Sequence, residues 1–513
     1  MLARVRSAVV IGVDAHPVDV EIDLASGLPS FTTVGLPHGA VKEGRERVAA
    51  AVTNSGFEFP LRRITVNLAP ADIPKAGSAF DLPIAIGVLL ASQQLTLPGP
   101  ALGADAGFLF GELSLEGEIR PIRGAISVVM CARRLAARWV IVPAANAAEG
   151  SLVDGIVVLG ARSLAEVVGH LGGRAQLAPT IRSVPESAPC GSVDFADVRG
   201  QELAKRALEV AAAGAHNALL VGPPGGGKTM LARRLPSVLP AMTDEEALEV
   251  LKVHSVAGLI TDPRHLGWQR PFRAPHHTIS DAGMVGGGPS PRPGEVSLAH
   301  HGVLFLDELP EFRRNVLEAL RQPLEDGVVT VARASSALVF PARFMVIAAM
   351  NPCPCGFRGD SRTECTCSAE RIGKYRSRIS GPLFDRFDLH LPVANPRWQD
   401  LAAREPGESS GMIRERVERA RSKQVQRYRA EPGVYANAHL SARLVRRWCE
   451  PDSEGARLLA AAAERLGFSA RAHTRILRLA RTIADLADGE QIRSSHVAEA
   501  IQYRGVDRLS APG

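Results

Sequence analysis

The chain has 513 residues, with 60 basic against 54 acidic side chains, a net charge of +6 and only 5% aromatics. That length exceeds a single hydrophobic core and, at a prior of about 150 residues per domain, predicts three domains. The small basic excess permits a nucleic-acid partner without arguing for one, and the scarce aromatics speak against a base-stacking platform. No apolar run approaches the roughly 18 residues that span a bilayer, so no membrane partner is expected. The opening Met1-Leu-Ala-Arg-Val-Arg resembles a signal n-region, but the apolar stretch Ala8 to Val13 stops at Asp14, too short for an export signal. It reads as the first strand of a cytoplasmic protein.

In chain order, residues 1–175 are rich in Ala, Val, Gly and Leu. Short apolar strands such as Ile64 to Leu68 and Trp139 to Val142 lie between helix-like stretches, predicting an α/β domain. Residues 176–192 carry Pro179, Pro185 and Pro189 and read as a linker. A second α/β module occupies 193–395. It opens with the strand Asn217 to Val221, the loop Gly222-Pro223-Pro224-Gly225-Gly226-Gly227-Lys228-Thr229 and a helix from Met230 to Leu239. Leu266 to Gly294 is a glycine-rich insertion containing His276 and His277, for which a structural or DNA-contact role is preferred over metal binding, because no matching carboxylate is near in sequence. The run Val303-Leu304-Phe305-Leu306 ends in Asp307-Glu308, and Gly327 to Pro341 reads as a β-hairpin with Arg333 near its tip. A further strand, Phe344 to Ala349, delivers Asn351. Residues 396–513 hold an Arg-rich connector, read as a solvated helix face in preference to a nucleic-acid arm, and then a small all-α domain from Leu440 to Tyr503.

The loop at 222–229 has the pattern in which glycines bring backbone N–H groups to phosphate oxygens, a lysine (Lys228) reaches the outer phosphates and a hydroxyl (Thr229) ligates Mg2+. Phosphoryl transfer then needs a metal anchor and a group that orients water. Asp307 fits the first role, Glu308 the second, and Asn351 would fix the same water or sense the terminal phosphate. ATP and Mg2+ are therefore the expected cofactors. Cys353, Cys355, Cys365 and Cys367 form two Cys-x-Cys pairs separated by nine residues. Four thiolates suit a structural Zn2+, and the alternative is a reduced surface cluster or a redox pair.

The order glycine loop, Asp-Glu strand, Asn351, then Ser380-Gly-Pro-Leu-Phe-Asp-Arg386-Phe-Asp resembles an AAA+ ATPase of the magnesium-chelatase and replicative-helicase clade. Within it, Arg270-Pro-Phe-Arg-Ala-Pro-His-His-Thr-Ile-Ser280 and Met350-Asn-Pro-Cys-Pro-Cys-Gly356 resemble the ComM/YifB family of magnesium-chelatase-like proteins. The resemblance implies a homo-hexameric ring acting on single-stranded and branched DNA, alongside recombination proteins, in ATP-driven branch migration during natural transformation. It also implies Arg386 as an arginine finger reaching the neighbouring subunit's nucleotide, Arg471 (or Arg475, one turn on) as a second sensor, and the hairpin with Arg333 as a pore-facing DNA contact. Residues 64–135 resemble the Lon protease domain through Pro74-Lys-Ala-Gly-Ser-Ala-Phe-Asp81 and Gly111 to Ile122. The nucleophile and lysine positions fall on Ala79 and Ile126, so an inactive scaffold is implied. A dyad shifted onto Ser78 and Lys75 is the disfavoured alternative. A protein-remodelling ATPase of the magnesium-chelatase type, or an ATP-dependent protease, are the competing functions.

Overall fold

The computed structural model describes residues 1–37, 39–75, 77–98, 107–182, 193–260, 269–288, 291–332, 337–360, 362–396 and 407–504. Contacts divide the chain into two units. One comprises Met1–Glu186 with 247–267 and 332–340, the other Ser187–Glu246, 268–331 and 341–513.

In the first unit, β1 (Leu2–Ile11) turns at Gly12 into β2 (Asp14–Ala25), the two pairing antiparallel from Leu2↔Asp23 to Ile11↔Asp14. β3 (Ser30–Val34) runs parallel to β4 (Arg63–Ala69), giving the order β1-β2-β4-β3. Val18, Val20, Ile22 and Leu24 are buried at every second position of β2, the signature of a sheet with one face on the core. The helices Ala40–Asn54 and Asp81–Ala91 pack there, the latter apolar on nearly every side. A second, parallel sheet holds β5 (Gly107–Leu109), β8 (Trp139–Pro143) and β9 (Val157–Ala161), beside the small ladder of β6 (Glu112–Leu113) and β7 (Ile119–Arg120). The expected linker begins as packed chain: the Thr180 N–H donates to the Val158 carbonyl at 2.8 Å and Pro179 bridges Leu159.

In the second unit, β10 (Ala218–Val221), β11 (Phe272–Arg273), β14 (Val303–Leu306), β17 (Met345–Met350) and β18 (Leu389–Pro392) form one parallel sheet ordered β11-β14-β17-β10-β18. Each residue of β10, β14 and β17 is buried, as expected for central strands of a sheet covered on both faces. One short ladder lies outside it, β12 (Gly286–Gly287) with β13 (Arg292–Pro293), and the strands β15 (Val328–Ala332) and β16 (Ala337–Pro341) flank residues 333–336. The last section is helical: Ser410–Tyr428, Ala442–Trp448, Ser453–Leu466, Ala470–Leu486 and Ser494–Gln502. The first four start at side-chain caps from Ser409, Ser441, Asp452 and Ser469.

The Arg-rich connector is a packed helix with one solvated face, carrying Glu415, Glu418, Arg419 and Gln426, and one buried face. Helix Ser410–Tyr428 buries Ile413, Val417, Ala420, Gln424 and Tyr428 at helical spacing, and its inward-turned cations have partners. Arg416 pairs with Glu209, Arg427 grips Asp485 at 2.6 and 3.0 Å, and half-buried Arg421 donates to the Ala212 and Ala213 carbonyls at the end of helix Glu202–Gly214. Basic residues near a helix C-terminus complete its open carbonyls, which accounts for Arg421.

Candidate functional site

Three neighbouring strands, β10, β14 and β17, deliver the predicted residues at their C-terminal ends. β10 runs straight into Gly222, where a Cβ would lie 2.0 Å from the Val393 carbonyl oxygen, so only glycine fits beside β18. Gly227, at φ 87°, is the left-handed residue that opens helix Lys228–Arg234. That helix starts two residues earlier than expected and ends sooner, because Pro236 converts the next turn into a 3-10 helix, Leu235–Val238. Within the loop, the Gly226 N–H closes onto the Pro223 carbonyl at 3.2 Å, Gly225 is left-handed at φ 78°, and Pro224 packs beneath Gly356.

Lys228 Nζ donates to the carbonyls of Gly222 (2.7 Å) and Pro223 (2.8 Å) and to Asn351 Oδ1 (3.1 Å). Burial lowers its pKa, and the carboxylates of Asp307 and Glu308 oppose that. The Thr229 hydroxyl donates to Asp307 Oδ2 at 2.7 Å. Two oxygens on adjacent vertices of an Mg2+ octahedron stand about 2.9 Å apart, so this pair fits that ion. Glu308 has φ 53°, unusual outside glycine, and its side chain is 60% exposed. His277 Nδ1 lies 3.5 Å from Glu308 Oε2. The carboxylate that the His pair lacks nearby in sequence is thus supplied in space by Glu308. The parallel register Phe272↔Val303 and Arg273↔Leu304 sends both strand exits the same way, and sequence distance concealed the meeting.

The four cysteines converge. Cys353 Sγ is 3.3 Å from Cys355 Sγ and 3.6 Å from Cys365 Sγ, and Cys355 and Cys365 are 3.6 Å apart. All four sulfurs lie within 4.8 Å of one another. Tetrahedral zinc with Zn–S near 2.3 Å needs S···S of about 3.8 Å, so the cage is zinc-sized. Gly356 presses this loop on the glycine loop, since a Cβ there would meet Pro224 Cδ at 2.6 Å.

Arg386 and Arg471 are not joined to this cluster. With Arg475, Arg478, Glu325 and Asp388 they line a separate cleft of about 680 Å³ beside the N-terminal end of β18. Arg386 pairs with Glu325, and burial, with Arg471 and Arg321 nearby, lowers its pKa. Arg471 is exposed, whereas Arg475 is only 9% exposed and faces Asp388. Arg333 lies outside the described residues, between β15 and β16. In the first unit Ser78 donates to Glu112, fully buried Lys75 to the Pro70 carbonyl, and Ile126 is core, so Ser78 and Lys75 are each committed elsewhere.

Three family descriptions match the chain: "Subunit ChlI of Mg-chelatase" over residues 20–146, "Magnesium chelatase, subunit ChlI" over 194–401, and "Magnesium chelatase, subunit ChlI C-terminal" over 407–504. The chain is 45% identical over 510 residues to "Uncharacterized protein YifB" of Salmonella typhimurium, covering 99% of this chain and 98% of that one. It is 46% identical over 520 residues to "Competence protein ComM" of Haemophilus influenzae, with the same coverage. A magnesium-chelatase 67 kDa subunit of Chlorobaculum parvum is 28% identical over 164 residues, 31% of this chain and 23% of that protein.

Proposed function

We propose that this chain, which belongs to the ComM/YifB family of magnesium-chelatase-like proteins, is an ATP-hydrolysing AAA+ motor that forms a hexameric ring and drives branch migration of DNA. The observation that carries the hydrolytic part is the convergence of Lys228, Thr229, Asp307 and Asn351 at three adjacent strand ends, with hydrogen bonds of 2.7 Å and 3.1 Å tying them.

The glycine loop would cradle the phosphates on its N–H groups and the helix dipole. Thr229 and Asp307 would hold Mg2+, which when bound neutralises charge on the outer phosphates. Lys228 would leave its loop carbonyls for those phosphates. Glu308 would accept the proton of the attacking water, and Asn351 would orient that water. Arg386 and Arg471 share one cleft apart from this site, an arrangement that suits both acting on the neighbouring subunit's nucleotide. The cysteine cage would hold Zn2+ as a clip on the Asn351 loop. The N-terminal domain would be an inactive Lon-like scaffold, a reading supported by the separate hydrogen bonds of Ser78 and Lys75. The DNA substrate is drawn from the relative named a competence protein. A protein-remodelling role is the second reading, favoured by the stretch shared with the chelatase subunit.

The test is ATP turnover of purified protein with and without single-stranded and branched DNA, with Lys228→Ala as control. Strong stimulation, greatest with branched DNA, is expected. Absence of stimulation at every salt concentration would refute the DNA reading and favour protein remodelling.

A further inference from the structure

We propose that Asp388 is a positioning residue that locks the segment bearing Arg386 to the helix bearing Arg471, so that the two guanidinium groups are presented together as one preformed anion-binding face. The inference rests on the reading of those arginines as acting on a neighbouring subunit's nucleotide.

The segment Arg386-Phe387-Asp388 enters β18, and its backbone is pinned at each residue. Asn217 Nδ2 donates to the Arg386 carbonyl at 3.1 Å, Arg504 Nη1 to the Phe387 carbonyl at 3.3 Å, and the Asp388 N–H to the Asn217 carbonyl at 2.9 Å. The Asp388 side chain then ties this segment to two further elements. Oδ2 accepts from the Asn217 N–H at 3.2 Å and faces His216 Nδ1 at 3.4 Å, while Oδ1 faces Arg475 Nε at 3.5 Å. Arg475 sits one turn after Arg471 on helix Ala470–Leu486, so the two lie on the same face.

His216 reaches that same helix from its other side. The Thr482 hydroxyl donates to the Arg478 carbonyl at 3.0 Å, so His216 Nε2, 2.8 Å from it, is the donor of their hydrogen bond. Burial alone would push the Asp388 pKa up, yet His216, with Arg475 and Arg478 behind it, holds it down at about 2. The carboxylate is therefore charged throughout the physiological range, and at 6% exposure it is too enclosed to meet a nucleotide itself.

A negative charge is required at this point because of what surrounds it. Arg386, Arg471, Arg475 and Arg478 line one cleft, and like charges at such spacing repel. Asp388 offsets the inner pair, while Glu325 lies on Arg386. Glu325 is more than half exposed and can be displaced when a phosphate arrives, whereas Asp388 cannot. Without it, Arg386 would keep its charge but lose the fixed relation to Arg471 on which a two-point grip of a terminal phosphate depends.

The experiment uses mixed rings. Asp388→Asn alone should lose about tenfold or more in ATP turnover with unchanged binding of a fluorescent ATP analogue, a loss confined to the chemical step. Mixed in equal parts with Lys228→Ala it should regain turnover. About one quarter of the interfaces then join an intact glycine loop from the first variant to an intact Arg386 and Asp388 from the second. Arg386→Ala mixed with Lys228→Ala is the control. Recovery in the control but not with Asp388→Asn means the residue only holds its own subunit's fold, and overturns the proposal. Normal turnover of Asp388→Asn overturns it too. With no recovery in the control, the reading of Arg386 as acting in trans falls and takes the proposal with it. Arg475→Gln, which severs the same link from the helix side, should behave as Asp388→Asn does and decides the matter if the latter fails to fold.

Discussion

Replacing Cys365 with serine tests whether the cysteine cage is a metal site that serves the nucleotide loop. The observed Sγ separations of 3.3 to 3.6 Å fall short of the zinc-filled value of about 3.8 Å by only a few tenths of an ångström. A disulfide of about 2.05 Å would need the nearest pair to approach by more than an ångström, so a redox pair fits the geometry less well. Structural zinc binds small domains with roughly 10–16 kcal/mol. One ligand in four then corresponds to about 3 kcal/mol, more than a hundredfold in zinc affinity. Most of that loss should stay local, because the loop has other anchors: Arg376 on the Pro352 carbonyl at 3.2 Å, Asn395 on Asp360 at 3.0 Å, and the Gly356 contact with Pro224. Its functional consequence runs through Asn351, two residues before Cys353 and hydrogen-bonded to Lys228.

We expect metal analysis of the purified protein to give one zinc per chain, and Cys365→Ser to lose it under mild chelation. Turnover should fall roughly ten- to a hundredfold, the usual consequence of an ångström-scale misplacement. Protein purified without chelator that carries no zinc and four freely alkylated thiols would refute the metal. Zinc lost with turnover unchanged would refute the link to Asn351.

Glu308→Gln keeps shape but removes the proton acceptor, so ATP should still bind while phosphate release falls by about 10²–10⁴, and normal turnover would show that another group activates water. Gly222→Ala places a methyl 2.0 Å from the Val393 carbonyl, where paired β10 and β18 have little room to part. A cost of about 1–3 kcal/mol and weakened nucleotide binding should appear in denaturation and in titration with an ATP analogue. Burial raises the Glu149 pKa from 4.5 to about 7, against a hydrogen bond from Asn146 and the nearby Ser255 hydroxyl. The folded state therefore holds this proton more tightly than the unfolded chain. The stability it contributes is complete below about pH 4.5 and is lost as pH rises through 7. At pH 8 the buried carboxylate costs on the order of 3 kcal/mol, so Glu149→Gln should raise hydrogen-exchange protection around 144–150 at pH 8 and change little at pH 4.5.

The strand ends were legible because a short all-apolar run ending in polar residues has one interpretation in a parallel sheet: Val303–Leu306 must be buried, and Asp307 and Glu308 must stand at its edge. The cysteine pairs were legible from spacing alone. The buried face of the Arg-rich connector was missed for an equally definite reason. Charge content gives no direction, and only the packing of Ile413, Val417 and Ala420 on helix Glu202–Gly214 and its neighbours shows which cations turn inward. Arg421 and Arg427 were indistinguishable in the sequence from Arg414 and Arg419, which have no part in those contacts.

The meeting of His277 with Glu308 and the tie between Asp388 and Arg475 share a cause: each depends on which strands or helices become neighbours, a property of topology. In the sheet order β11-β14-β17-β10-β18, the glycine loop and Asn351 adjoin because β10 lies beside β17, and the His277 turn reaches Glu308 because β11 lies outside β14. The same order places Arg386 at the opposite end of β18 from the nucleotide loop that follows β10. Four-residue strands at about 3.3 Å per residue hold those two ends roughly 13 Å apart along the strand, which puts the phosphate loop beyond the reach of Arg386 in the same subunit. An arginine on that edge has either a structural role or a partner molecule to reach. The exposed Arg471 beside it, with buried Asp388 behind, favours the partner.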